Sequence, residues 1–127
     1  MRLVSFAHLE DGDDIIVSFF ILGDVEVPGD GYTIMAQRCP KFDRLLPERE
    51  RRPRLSNEME DDGTGDDEFL ERVEYDREKK HLTMRGARSC YEMSLRKLDD
   101  DEIEDVLKGF AKLNFDNAFV MEIKGSR

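Results

Sequence analysis

Apolar residues near the start of the chain fall into two short runs, residues 3–9 (LVSFAHL) and 15–22 (IIVSFFIL), separated by the polar stretch EDGDD. Asp11-Gly12 within it is a favourable hairpin turn, because glycine tolerates the positive φ that a tight turn needs, so the two runs are expected to be paired strands. The second run is apolar on both alternating faces, with Ile15, Val17, Phe19 and Ile21 on one and Ile16, Phe20 and Leu22 on the other, which predicts a central strand covered on two sides. GDVEVPGDG reads as a loop, and residues 32–38 (YTIMAQR) as a third strand with Tyr32, Ile34 and Ala36 on one face.

Residues 39–54, CPKFDRLLPERERRPR, interrupt this pattern. Pro40, Pro47 and Pro53 each remove a backbone donor and restrict the preceding residue, so no long helix fits. Alternation returns at FLERVEYD, with Phe69, Val73 and Tyr75 on one side. REKK makes a turn, HLTMR turns Leu82 and Met84 inward, and after GARS the run CYEMSLRKL does the same with Tyr91, Met93 and Leu95.

A different period follows. In residues 99–115, DDDEIEDVLKGFAKLNF, the apolar positions Ile103, Val106, Leu107, Phe110 and Leu113 recur every three or four residues, the stripe of an amphipathic helix. Asp99 is placed to cap it, Glu102 stands three residues on, and the acids of the first turn suit the positive end of the helix dipole. Gly109 in its interior costs about 1 kcal/mol relative to alanine, which points to close packing or to simple tolerance. NAFVMEIK then alternates through Phe119, Met121 and Ile123 as a last strand. The sum is an α+β domain, a mainly antiparallel sheet of about six to seven strands packed against one late amphipathic helix.

With 127 residues the chain has the length of a single domain, residues 1–127, carrying a basic proline-containing loop at 39–54 and an acidic loop at 58–68. It is 39% apolar and 39% charged, enough to fold with a densely charged surface. The net charge of -10 has the wrong sign for a phosphate backbone, so nucleic acid is not an expected partner, whereas a basic protein is. No run reaches the length of a signal peptide or a membrane span, and a cytoplasmic location is expected without membrane contact. Cys39 and Cys90 form no Cys-x-x-Cys pair and read as free thiols; His8 and His81 read as ordinary strand residues.

Catalytic signatures are missing from the sequence. It has no glycine-rich phosphate loop, no G-x-S-x-G elbow and no neighbouring cysteine and histidine, so a non-enzymatic role without a cofactor is expected. The segment EDDGTGDDEFLE, residues 60–71, imitates a calcium loop, with Asp62, Thr64, Gly65 and Glu71 at the third, fifth, sixth and twelfth places. Against calcium stand Glu60 at the first place, Asp67 where an apolar anchor belongs, and prolines where a helix should enter. The acids read instead as a charged loop for a partner, and Arg49, Arg51 and Arg52 as a second, basic contact surface.

The element order resembles the immunity protein 10 family of bacterial polymorphic-toxin systems: an N-terminal strand pair, the YTIMAQR strand, a polar acidic stretch, the hairpin RVEYDREKKHLTM, and YEMSLRKLDDDEIEDVLKGFAKL as strand then helix. The likeness extends over most of residues 1–115; the basic insert at 39–54 and the last strand fit it less well. It implies an antitoxin that binds and blocks one cognate toxin by steric and electrostatic means. Glu60, Asp61, Asp62, Asp66, Asp67 and Glu68 would be its charge partners. A calcium- or small-ligand-binding regulatory module and a structural subunit of a larger assembly are the competing readings.

Overall fold

The computed structural model describes residues 2–21, 31–57 and 68–125. Eight strands and one α-helix form an α+β fold: β1 (Arg2–Asp11), β2 (Ile15–Ile21), β3 (Tyr32–Arg38), β4 (Arg54–Asn57), β5 (Glu68–Asp76), β6 (His81–Gly86), β7 (Cys90–Ser94), α1 (Asp100–Leu113) and β8 (Val120–Lys124). Between β3 and β4 lie two 3-10 turns, Pro40–Leu45 and Glu48–Glu50, the local geometry that the three prolines permit.

The sheet order is β4-β3-β2-β1-β7-β6-β5-β8, and an added β4–β5 pairing closes the first seven strands into a ring. Two seams of the ring are thin. β1 meets β7 in parallel through Arg2 and Leu3 alone, and β4 meets β5 through Arg54 and Leu55. From Arg72 onward, the edge of β5 that β4 leaves free is taken by β8, which runs parallel to it.

Helix α1 closes one end of this barrel. Its Glu104 pairs with Arg77 at 2.7 Å and its Asp100 with Lys80 at 3.6 Å, both in the β5–β6 turn, while Lys112 pairs with Asp11 at the end of β1. Asp99 caps the helix as expected, accepting from the Glu102 amide at 2.8 Å, and Ile103, Val106, Leu107, Phe110 and Leu113 are all buried. Phe110 stacks on Phe19 of β2 with ring centroids 6.1 Å apart. The strand ends that flank residues 22–30 and 58–67 lie at the opposite end of the barrel.

Three expectations change. The sheet has eight strands because Arg54–Asn57 pairs with β3, although only Leu55 marks it as apolar. In β5 the register shifts between Leu70 and Arg72, a bulge that breaks the alternation, so Leu70 rather than Phe69 shares the core with Val73 and Tyr75. β2 is covered fully on one side only. Ile15, Val17, Phe19 and Ile21 are buried, whereas Ile16 and Phe20 are half-buried on an outer face where Phe6 stacks on Phe20 at 4.8 Å.

The structure also decides the role of Gly109. A Cβ there would lie 2.7 Å from Val17 Cγ2 and 2.8 Å from Leu9 Cδ1, so the helix approaches β1 and β2 more closely than any larger residue allows. Gly109→Ala gains about 1 kcal/mol of helix propensity but overpacks a β-branched neighbour, and a net loss of about 1 kcal/mol is expected in urea denaturation. A stabilised variant would show that the helix can retreat without cost.

Candidate partner-binding surface

Arg38 closes β3 on its inward face, one pleat beyond Ile34 and Ala36, and is 5% exposed. A charge so placed needs partners, and they come from distant parts of the chain. Asp116, just past α1, receives Nη1 and Nη2 at 2.8 Å each, and Asp43 in the first 3-10 turn receives Nη2 at 2.8 Å and Nε at 3.1 Å. Nη1 also reaches the Leu113 carbonyl at 3.4 Å, which places a cation at the negative end of the helix dipole. The Phe115 ring stacks over the guanidinium at 4.4 Å.

Burial opposes the charge on Arg38, but the hydrogen bonds to Asp116 and Asp43 outweigh it and hold its pKa above the ordinary value. Hydrogen bonding from Arg38 holds Asp116 below the ordinary aspartate value. The Arg38–Asp116 pair therefore contributes fully above the unfolded aspartate pKa and fades as pH falls through the lower folded one of Asp116. Arg38 thus pins residues 40–45 and the segment after α1 to one point.

Those two segments carry three of the six large apolar side chains left exposed among the described residues. Phe42 is 48% exposed and Leu45 70% in residues 40–50, the arm, and Phe115 is 57% exposed on the other side of Arg38. Neither 3-10 turn buries a residue of its own, so the arm contributes little to the core. Lys41, Arg44 and Arg49 are exposed on it. Between the arm and the ends of β2 and β3 lies a cleft of about 200 Å³ that includes Asp14, Cys39, Phe42, Glu50 and Arg52.

Cys39 Sγ donates to the Asp13 carbonyl at 3.3 Å, and a hydrogen bond to the neighbouring Asp14 carboxylate pushes its thiol pKa up. Both cysteines are free, Cys90 being the more exposed. Because the thiolate is the reacting form, Cys39 is expected to react with iodoacetamide at pH 8 several-fold more slowly than Cys90, and Asp14→Asn should speed it. Equal rates in the parent and the variant would show that Asp14 does not govern the thiol.

The residues singled out in the sequence are placed unequally. Arg49 is exposed on the arm, whereas Arg51 Nε is engaged by the Leu46 carbonyl at 3.0 Å and Arg52 lies over the Phe69 ring at 5.8 Å. Glu68 opens β5 and is half-buried. It accepts from the Arg88 and Ser89 amides at 2.7 and 2.6 Å and from the Ser89 hydroxyl at 2.8 Å, so its carboxylate organises the β6–β7 turn. Glu60, Asp61, Asp62, Asp66 and Asp67 lie outside the described residues.

Glu71, the last position of the calcium-like spacing, lies at the bulge of β5 and is exposed. Among the described residues no three of His, Cys, Asp and Glu are grouped as a metal site, and no helix is long and apolar enough to cross a membrane. No motif in the sequence marks Arg38, Phe42, Leu45 or Phe115. A usable signal existed for two of them: Phe42 and Leu45 stand in a segment whose prolines forbid a core helix or strand. Comparison with protein-family models, curated proteins and solved structures yields no match.

Proposed function

We propose that this protein is an immunity protein, an antitoxin that binds a cognate bacterial toxin and blocks it without catalysis. The observation that supports this best is the arm at residues 40–50: it buries none of its own side chains, exposes Phe42 and Leu45 beside Lys41, Arg44 and Arg49, and is fastened by Arg38. A preorganised apolar patch with a charged rim has the composition of a protein interface rather than of a solvated loop. The acids Glu60, Asp61, Asp62, Asp66 and Asp67, in a chain of net charge -10, would speed the encounter with a basic toxin. Glu68 contributes less directly, through the turn that it holds.

The test is neutralisation. Co-expression of the full chain with the C-terminal domain of a secreted protein encoded beside it should restore growth, and Phe42→Asp with Leu45→Asp should abolish the rescue while leaving the fold unchanged. If no such neighbour exists, or if the domain stays toxic, the reading is wrong. Changing Asp61, Asp62, Asp66 and Asp67 to lysine is expected to slow association by about tenfold or more at low salt; an unchanged on-rate in stopped-flow mixing would remove these acids from the encounter.

A further inference from the structure

β8 ends the sheet: it pairs with β5 and, among the described residues, with no other strand. The register sets Met121 beside Val73 and Ile123 beside Tyr75, so these two β8 residues lie on the core side of the sheet. Val73 and Tyr75 are 0% and 3% exposed, yet Ile123 is 41% exposed, because on that side the sheet stops where another strand would cover it. Val120, on the other face, is 53% exposed. A five-residue strand thus presents apolar side chains on both faces together with a row of backbone donors and acceptors that no other described strand pairs.

We infer that this edge pairs with β8 of a second copy of the chain, antiparallel, about a two-fold axis through Ile123. Charge selects both the occupant and the register. Centring on Ile123 places Glu122 opposite Lys124 of the second copy, and by symmetry does so twice. Centring on Glu122 would set two carboxylates face to face, and centring on Met121 would leave both charges opposite apolar residues. Within one copy Arg72 serves two carboxylates, bonding Glu74 and reaching Glu122 at 2.8 Å, so this edge has room for a second cation. Lys124 of the other copy supplies it. Ile123 meets Ile123 across the axis and loses its exposure.

Five residues a side fall short of the roughly 1,200 Å² of a stable interface, so the dimer is reversible and concentration-dependent. Sedimentation velocity on the full chain over about a hundredfold range of concentration should show the mass rising from monomer toward dimer. Lys124→Glu and Glu122→Lys should each weaken the association about fivefold or more, and the combined Glu122→Lys/Lys124→Glu variant should restore it, since the swapped charges again face each other. Circular dichroism verifies that each variant is folded. A monomer at every concentration, a dimer indifferent to the single substitutions, or a double variant that fails to recover would overturn the proposal.

Discussion

Arg38→Ala is expected to lower the stability of the protein by about 3 kcal/mol in urea denaturation, the low end of what removing one member of a buried ion pair costs. The substitution removes four hydrogen bonds to Asp43 and Asp116 and the stacking of Phe115. It also leaves two carboxylates facing each other with no cation between them. Asp116, 41% exposed in its side chain, can rehydrate, which keeps the loss from being larger; Asp43, at 16%, can do so less. Arg38→Met with Asp43→Asn and Asp116→Asn should recover most of the loss, because no unpaired charge then remains. A second readout is local: trypsin should cut at Lys41 and Arg44 faster in Arg38→Ala than in a variant equally destabilised elsewhere. Equal cleavage would mean that Arg38 supports the barrel but does not hold the arm.

The same network gives the acid response its sign. Asp116 is held below its ordinary value by the hydrogen bonds from Arg38, so unfolded chains take up a proton at higher pH than folded ones do. Stability is therefore lost as pH drops below the ordinary aspartate range, near 3.8, and Asp116→Asn should flatten that part of the curve.

Phe110→Ala should cost more, about 3 to 5 kcal/mol, and in a domain of this size that is a large share of the total. Phe110 is fully buried on the inner face of α1, stacked on Phe19 and one residue from the close approach at Gly109. The helix cannot collapse into the space, since Gly109 already brings it against Val17 and Leu9. A cavity is left instead, and the cost lies near the top of the range when the walls cannot follow. Thermal melting with a urea titration measures it; a loss under about 1 kcal/mol would show that α1 repacks freely.

How much of this was legible depends on the distance over which each feature is encoded. The helix, its Asp99 cap and the inward residues of β6 and β7 are written in local periods, and sequence alone recovers them. β4 escaped because Leu55 is its only apolar residue and its pairing is decided by β3, whose partners lie some twenty positions away. The inward face of β5 came out shifted because a bulge changes the phase of alternation, and alternation is all that a sequence offers there. Arg38 was invisible as a hub for a related reason: Asp116 is 78 residues away, and nothing in YTIMAQR marks its final arginine as the buried one. Charge singles out Arg49, Arg51 and Arg52 in the basic segment; of these Arg49 is exposed, whereas Arg51 and Arg52 are engaged within the fold. Charge gives no sign of the arm's exposed apolar residues, Phe42 and Leu45.

The thin seam between β1 and β7 sets an order of events during synthesis. Hairpins β1–β2 and β2–β3 need only residues that emerge together, but the first strand meets its other neighbour through Met93 and Ser94 alone. β1 therefore waits for its β7 neighbour until Met93 and Ser94 have left the ribosome, and the helix that plugs the barrel arrives later still. Until then Phe19 and its neighbours face water, so chains truncated before α1 should be chaperone-dependent and the finished one should not.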